Sequence, residues 1–94
     1  MQVQWLTKAK KNLEAVLEHL HDENPAAARQ LAIIVRAATL SLAEFPARGR
    51  PGRIAGTREL VIEGYPFIIP YRVRGDSIQI IRIFHTRKDL PKRG

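Results

Sequence analysis

The stretch that most constrains this chain is residues 58–85, where apolar side chains recur at the two-residue spacing of a pleated strand. In residues 58–63, Leu60 and Ile62 fall on one face, while Glu59, Val61 and Glu63 fall on the other. Gly64-Tyr65-Pro66 interrupts the run, after which Phe67, Ile69, Tyr71 and Val73 repeat the period. Gly75-Asp76 then supplies the tolerance for positive φ that a tight hairpin needs. The third run, residues 78–84, places Ile78, Ile80 and Phe84 on one parity and Ile81 and Ile83 on the other. Apolar residues on both parities predict one continuous strand inside the sheet, covered on both faces.

The first half of the chain supplies the covering layer. Residues 3–6 read as a short opening strand, and Thr7 as a side-chain cap for the helix that follows. Trp5 is placed to anchor that helix start. Ala9, Leu13, Val16, Leu17 and Leu20 form one helical stripe. Asn24-Pro25 is a second helix start, with asparagine as cap and proline at the first helical position. Leu31, Ile34, Val35, Ala38, Leu42 and Phe45 make the second stripe, and Pro46 is expected to end it. Ile33, Ala37 and Leu40 widen that stripe beyond what one sheet face needs. Either the helix is wedged between its partner and the sheet, which is the plainer expectation, or the extra face binds another chain. Together these elements predict an α+β fold of order β-α-α-β-β-β, a helical hairpin on a curved, mainly antiparallel sheet. At 94 residues, the chain 1–94 is expected to be a single domain.

Charge is unevenly distributed. Residues 1–45 are balanced, whereas residues 46–94 hold eleven Lys/Arg against four Asp/Glu and account for the whole net charge of +7. A neutral scaffold joined to a basic surface suits an anionic partner: nucleic acid, an acidic protein segment or a phosphorylated ligand. With no cysteine, thiolate metal sites and a cysteine nucleophile are excluded. His19 and His21, two apart on a helix, point in different directions and make a poor metal pair. No cofactor and no metal are expected. The N-terminus lacks a signal-peptide pattern, and Arg29, Gln30, Arg36 and Glu44 interrupt the longest apolar stretch. A cytoplasmic protein without a membrane partner is therefore expected.

The connection from 46 to 57 is punctuated by Gly and Pro and carries Arg48, Arg50 and Arg53, with Arg58 just beyond. Guanidinium groups pair bidentately with carboxylates and phosphates, so these four are candidate binding residues. Arg72 and Arg74 flank the hairpin and join them, their convergence with Arg82 depending on strand register. Tyr65 and Tyr71, among aliphatic neighbours, read as packing residues.

The motifs Gly49-Arg-Pro-Gly52, Thr57-Arg-Glu-Leu60, Tyr65-Pro-Phe-Ile-Ile-Pro-Tyr-Arg-Val73 and Ile81-Arg-Ile-Phe-His-Thr-Arg-Lys-Asp89 resemble the ParE/RelE superfamily. These are the toxin halves of bacterial type II toxin–antitoxin pairs, linked to growth inhibition and plasmid stabilisation. The resemblance covers essentially the whole chain. It implies a cognate acidic antitoxin, and Arg48, Arg50, Arg53, Arg58, Arg72 and Arg74 with Ile33, Ala37 and Leu40 are the candidate contacts for the antitoxin or the target. It further implies one of two mechanisms: inhibition of DNA gyrase in the ParE-like branch, or cleavage of mRNA on the ribosome in the RelE-like branch. Cutting RNA requires activating a 2′-OH and stabilising the charged phosphorane. The RNA-cutting branch commonly has Arg where this chain has Ile68, and lysines in the segment that here carries Glu59, Val61 and Glu63. What remains for that chemistry is Arg82, His85 and Arg87. The expectation is therefore a gyrase-inhibiting toxin without a catalytic residue. The alternatives are a ribosome-dependent endoribonuclease and a non-toxic basic nucleic-acid-binding domain.

Overall fold

A computed structural model describes residues 1–88. The chain forms β1 (Gln2–Trp5), α1 (Thr7–Glu23), α2 (Pro25–Leu40), a 3-10 turn (Ser41–Ala43), β2 (Arg50–Pro51), β3 (Arg58–Val61), β4 (Phe67–Arg74), β5 (Ser77–Ile80) and β6 (Phe84–His85). The sheet runs β1-β5-β4-β3-β2, with β6 pairing beside β5 on β4. β1 lies parallel to β5 and every other pair is antiparallel. The architecture is α+β as expected, with a two-residue strand added inside the arginine loop.

Both helices pack on one face of the sheet. Tyr71, Ile69, Ile78 and Ile80 are fully buried there beneath Leu31 and Val35 of α2 and Ala9 of α1. Leu13, Val16, Leu17 and Leu20 close the margin of this core. Alternation holds across the register: Leu60 pairs with Ile69, Tyr71 with Ile80, and Ile78 with Val3, so one parity of four strands faces the helices. The hairpin turns at Gly75, whose φ of 54° lies in the left-handed region.

The third run does not continue as one strand. Between the pairs Tyr71–Ile80 and Ile68–Phe84, β4 advances three residues while the opposing chain advances four. The extra residue is a bulge, and it reverses parity. Ile83 thus joins Ile78 and Ile80 in the core, whereas Ile81 and Phe84 line a pocket on the opposite face. The mixed apolar pattern therefore records a change of register and not cover on both sides. Asn12 of α1 accepts the Ile83 N–H at 3.2 Å, giving this backbone donor an acceptor where the ladder is broken.

Three local expectations are corrected. Thr7 is not the cap: Leu6 holds that position with no side-chain bond, and Lys10 N–H simply bonds back to the Leu6 carbonyl. Asn24 does cap α2, accepting from the Ala27 N–H at 3.1 Å, with Pro25 following it. α2 ends at Leu40, before Pro46. Thr39 Oγ1 donates to the Val35 carbonyl at 2.8 Å and Ser41 Oγ to the Ala38 carbonyl at 2.6 Å, local bonds that favour tightening into the 3-10 turn. Leu42 is still delivered to the core, but Phe45 is left exposed. Finally, α2 is not wedged. Ile33 and Leu40 are 68% and 51% exposed, and Ala37 is exposed beside them.

Candidate functional site

The arginine loop is pinned to the sheet by a buried phenol and a buried carboxylate. Tyr71 Oη accepts from the Gly49 N–H at 2.8 Å and donates to the Pro46 carbonyl at 2.7 Å. A Cβ at residue 49 would come within 2.6 Å of the Tyr71 ring and 2.9 Å of the Glu59 carbonyl, so the close approach requires glycine. Tyr71 is thus a packing residue, and Tyr65 lies half-buried against the core.

Glu59 is only 5% exposed and faces away from the helices. Its Oε1 lies 3.2 Å from both Nε and Nη2 of Arg50, and its Oε2 accepts from the Arg53 N–H at 3.1 Å. Arg53 Nη1 reaches both carboxylate oxygens at 3.2 Å. Two guanidiniums and a backbone donor therefore share one buried anion, the arrangement that makes such an anion tolerable. The sequence places Glu59 on the face opposite Leu60 and as a departure from lysine, without giving it a partner; a glutamate beside four arginines was the available signal. Arg58 is likewise taken up internally, donating to the Gly49 carbonyl at 2.7 Å. Arg48 is exposed, stacked over Phe45 at 5.0 Å and bonded to Ser41 Oγ at 2.9 Å.

The remaining candidates divide between the two faces. Arg72 and Arg74 share the parity that faces away from the helices; Arg72 Nε donates to Gln79 at 2.8 Å and Arg74 is exposed. Arg82 stands over the ring of Phe84 at 4.8 Å, and its buried Nε has no acceptor among the described residues. His85 lies on the opposite parity. It pairs with Phe67, its ring meets that of Phe67 edge-on at 5.4 Å, and its Nδ1 accepts the Arg87 N–H at 3.1 Å. Arg87 itself is exposed. Arg82, beside Phe84 at the far-face pocket, and His85, against Phe67, thus stand on opposite faces of the sheet. Asp89 lies outside the described residues.

Two further surfaces are open. The outer side of α2, with Ile33, Ala37 and Leu40, runs between two grooves. One, of about 490 Å³, lies against β3 and is lined by Ile34, Ala38, Arg48 and Val61; the other, of about 650 Å³, lies against β1 and is lined by Trp5, Leu13, Ala32 and Leu40. On the far face of the sheet, a pocket of about 300 Å³ is lined by Leu6, Ile54, Pro70, Ile81 and Phe84, with Lys8, Arg53 and Arg82 among its polar groups.

The chain is a small α+β fold with an open helical face, an internally clamped arginine loop and a basic second half. Residues 3–90 match the family described as the ParE toxin of the type II toxin–antitoxin system parDE, and the chain belongs to that family. Y4kP of Sinorhizobium fredii is 37% identical over 90 residues, spanning 96% of this chain and 93% of that protein. Toxin RelE2 of Caulobacter vibrioides is 37% identical over 87 residues, covering 93% of this chain and 97% of its own length. In three dimensions the fold matches a chain of the chromosomal ParDE toxin–antitoxin system from P. aeruginosa, with a TM-score of 0.81 and 32% identity over 90% of this chain and 95% of that one. The protein is a toxin of a type II toxin–antitoxin pair, and a cognate antitoxin is its partner.

Proposed function

We propose that this toxin arrests growth in the cytoplasm by binding DNA gyrase as a protein poison, with no covalent chemistry of its own. The observation that carries the reading is the separation of Arg82 and His85 onto opposite faces of the sheet. General acid–base cleavage needs its proton donor and its phosphate-binding cations around one reacting centre. The position resembling the RNA-cutting arginine is Ile68, 4% exposed, and Glu59 in the segment resembling the lysines is already saturated by Arg50 and Arg53. The antitoxin, on this reading, lays an apolar helix along Ile33, Ala37 and Leu40, with carboxylates reaching Arg48 and the exposed edge of Arg50 at the groove rim.

Purified toxin added to a gyrase supercoiling assay, and in parallel to ribosomes translating a defined mRNA, separates the two mechanisms. The expected result is blocked supercoiling with intact transcript. Cleaved transcript with undisturbed supercoiling would overturn the reading and return Arg82, His85 and Arg87 to catalytic candidacy. For the antitoxin surface, Ile33→Glu and Leu40→Glu are expected to weaken antitoxin binding at least tenfold without unfolding the toxin, since both side chains already stand in water.

A further inference from the structure

The face of the sheet turned away from the helices holds a pocket that neither the fold nor the antitoxin surface accounts for. Its lining is mostly apolar, from Leu6, Pro70, Ile81 and Phe84. Ile54 stands at this pocket and is 69% exposed, yet its loop is fixed in place. The Thr57 N–H and Oγ1 both bond to the Ile54 carbonyl, at 3.1 and 2.6 Å, Gly52 N–H bonds to the Thr57 carbonyl at 2.8 Å, and Arg53 beside it is locked onto Glu59. An isoleucine held in water by a rigid loop is a pre-organised contact. Arg82 lines the same pocket, and among the described residues its Nε has no acceptor. The guanidinium carries a charge that no described carboxylate offsets, which favours an anionic group at the pocket. Since Glu59 is neutralised by Arg50 and Arg53, Lys8 and Arg82 leave the site with a positive balance.

We infer that this pocket receives an apolar side chain and a neighbouring carboxylate from a segment of the protein the toxin arrests. The inference rests on the reading that the target is a protein. Charge complementarity selects an acidic segment: the site is cationic, and all of the chain's net positive charge lies in residues 46–94. A nucleic acid fits it less well, because binding single strands depends on aromatic faces for base stacking. Phe84 is the pocket's one aromatic residue, and the guanidinium of Arg82 already lies over its ring. The pocket and the open side of α2 lie on opposite faces of the sheet, so target and antitoxin meet the toxin through separable groups.

The test uses the full-length toxin with Ile54→Glu, Arg82→Gln and, as a helix-face control, Ile33→Glu, each checked for folding by circular dichroism and thermal melting. Ile54→Glu changes a side chain already in solvent, and keeps the test valid should Arg82→Gln fail to fold. Three quantities are read: growth arrest on induction, inhibition of purified gyrase, and antitoxin affinity by calorimetry. Ile54→Glu and Arg82→Gln are expected to relieve growth arrest and weaken gyrase inhibition about tenfold or more, with antitoxin affinity held within about threefold. Ile33→Glu is expected to do the reverse. Full growth arrest by both folded pocket variants overturns the inference, and so does an equal loss of antitoxin affinity, which would give the pocket to the antitoxin. Wild-type mRNA cleavage abolished by the pocket variants would give it to RNA. Should wild-type toxin leave supercoiling untouched, the gyrase reading falls alone, and growth arrest by the two pocket variants still decides the pocket.

Discussion

The two faces of the sheet are built from the same strands by different means. On the helix side, Tyr71, Ile69, Ile78 and Ile80 are wholly excluded from water by an apolar layer above them. On the other side, the same strands present Glu59, Val61, Pro70, Arg72 and Phe84, held by an ion cluster, a cation–ring stack and a hydrogen bond from Arg72 to Gln79. Burial of apolar area is non-directional and scales with the surface removed from water. Charged hydrogen bonds stabilise only in one geometry, and they leave the surrounding apolar atoms reachable. The first face is therefore suited to holding the fold, and the second to presenting fixed groups to a partner.

Substitutions on adjacent residues should expose this difference most sharply. Ile80→Ala empties a site with no solvent exposure and should cost about 2–5 kcal/mol, a large share of the roughly 5–15 kcal/mol expected for a domain of this size. Ile81→Ala removes a half-buried side chain from an open pocket and should cost about 1 kcal/mol. Urea midpoints at equal slope give both values. Equal costs would mean that the second face is covered in solution, and would break the comparison.

Glu59→Ala ranks next. It removes the acceptor shared by Arg50 and Arg53 and leaves the latter, whose side chain is 19% exposed, without its counter-ion. Breaking such a buried pair should cost about 3 kcal/mol, and limited proteolysis should then find the 50–57 loop released. Tyr71→Phe should cost less, about 1–3 kcal/mol, from the unpaired Gly49 N–H and Pro46 carbonyl. It loosens the same loop from the helix side, so the pair of variants reports which face holds it more firmly.

The helix-facing half of the architecture was legible because it depends on local patterns. Alternation in 58–63 and 67–73, glycine at the hairpin, and the Asn24-Pro25 cap each act within a few residues. The second face was not legible, because its features depend on register. A single bulged residue reverses every side chain beyond it, so Ile81, Ile83 and Phe84 could not be assigned from composition. The pairing of Glu59 with Arg50 and Arg53 follows from the register that sets residue 50 opposite residue 59. Read locally, those arginines are free cations; in the fold two of them clamp a loop. The open side of α2 was an alternative from the width of its apolar stripe, and only packing decided it.

The smallest effect is expected at His85, where the comparison meets the mechanism. His85 and Arg82 lie three residues apart but on opposite parities, the histidine against Phe67 and the arginine over Phe84. His85→Gln removes the edge-on ring contact, worth about 0.5–1.5 kcal/mol, while glutamine can still accept a hydrogen bond in that region. Stability should therefore fall by about 1 kcal/mol, with growth arrest unchanged. Loss of an acid–base residue would instead lower a cleavage rate by about 10²–10⁴-fold, which a growth assay reads as full detoxification. Induced without antitoxin beside Arg82→Gln, the two variants should diverge: arrest persists with the histidine replaced and is relieved with the arginine replaced. If both lose toxicity while folded and antitoxin-binding, the two residues act on one centre and the separation of the faces does not hold in the working toxin. Persistent arrest by His85→Gln, beside relief by Arg82→Gln, removes His85 as an acid–base residue and keeps Arg82 in the target contact.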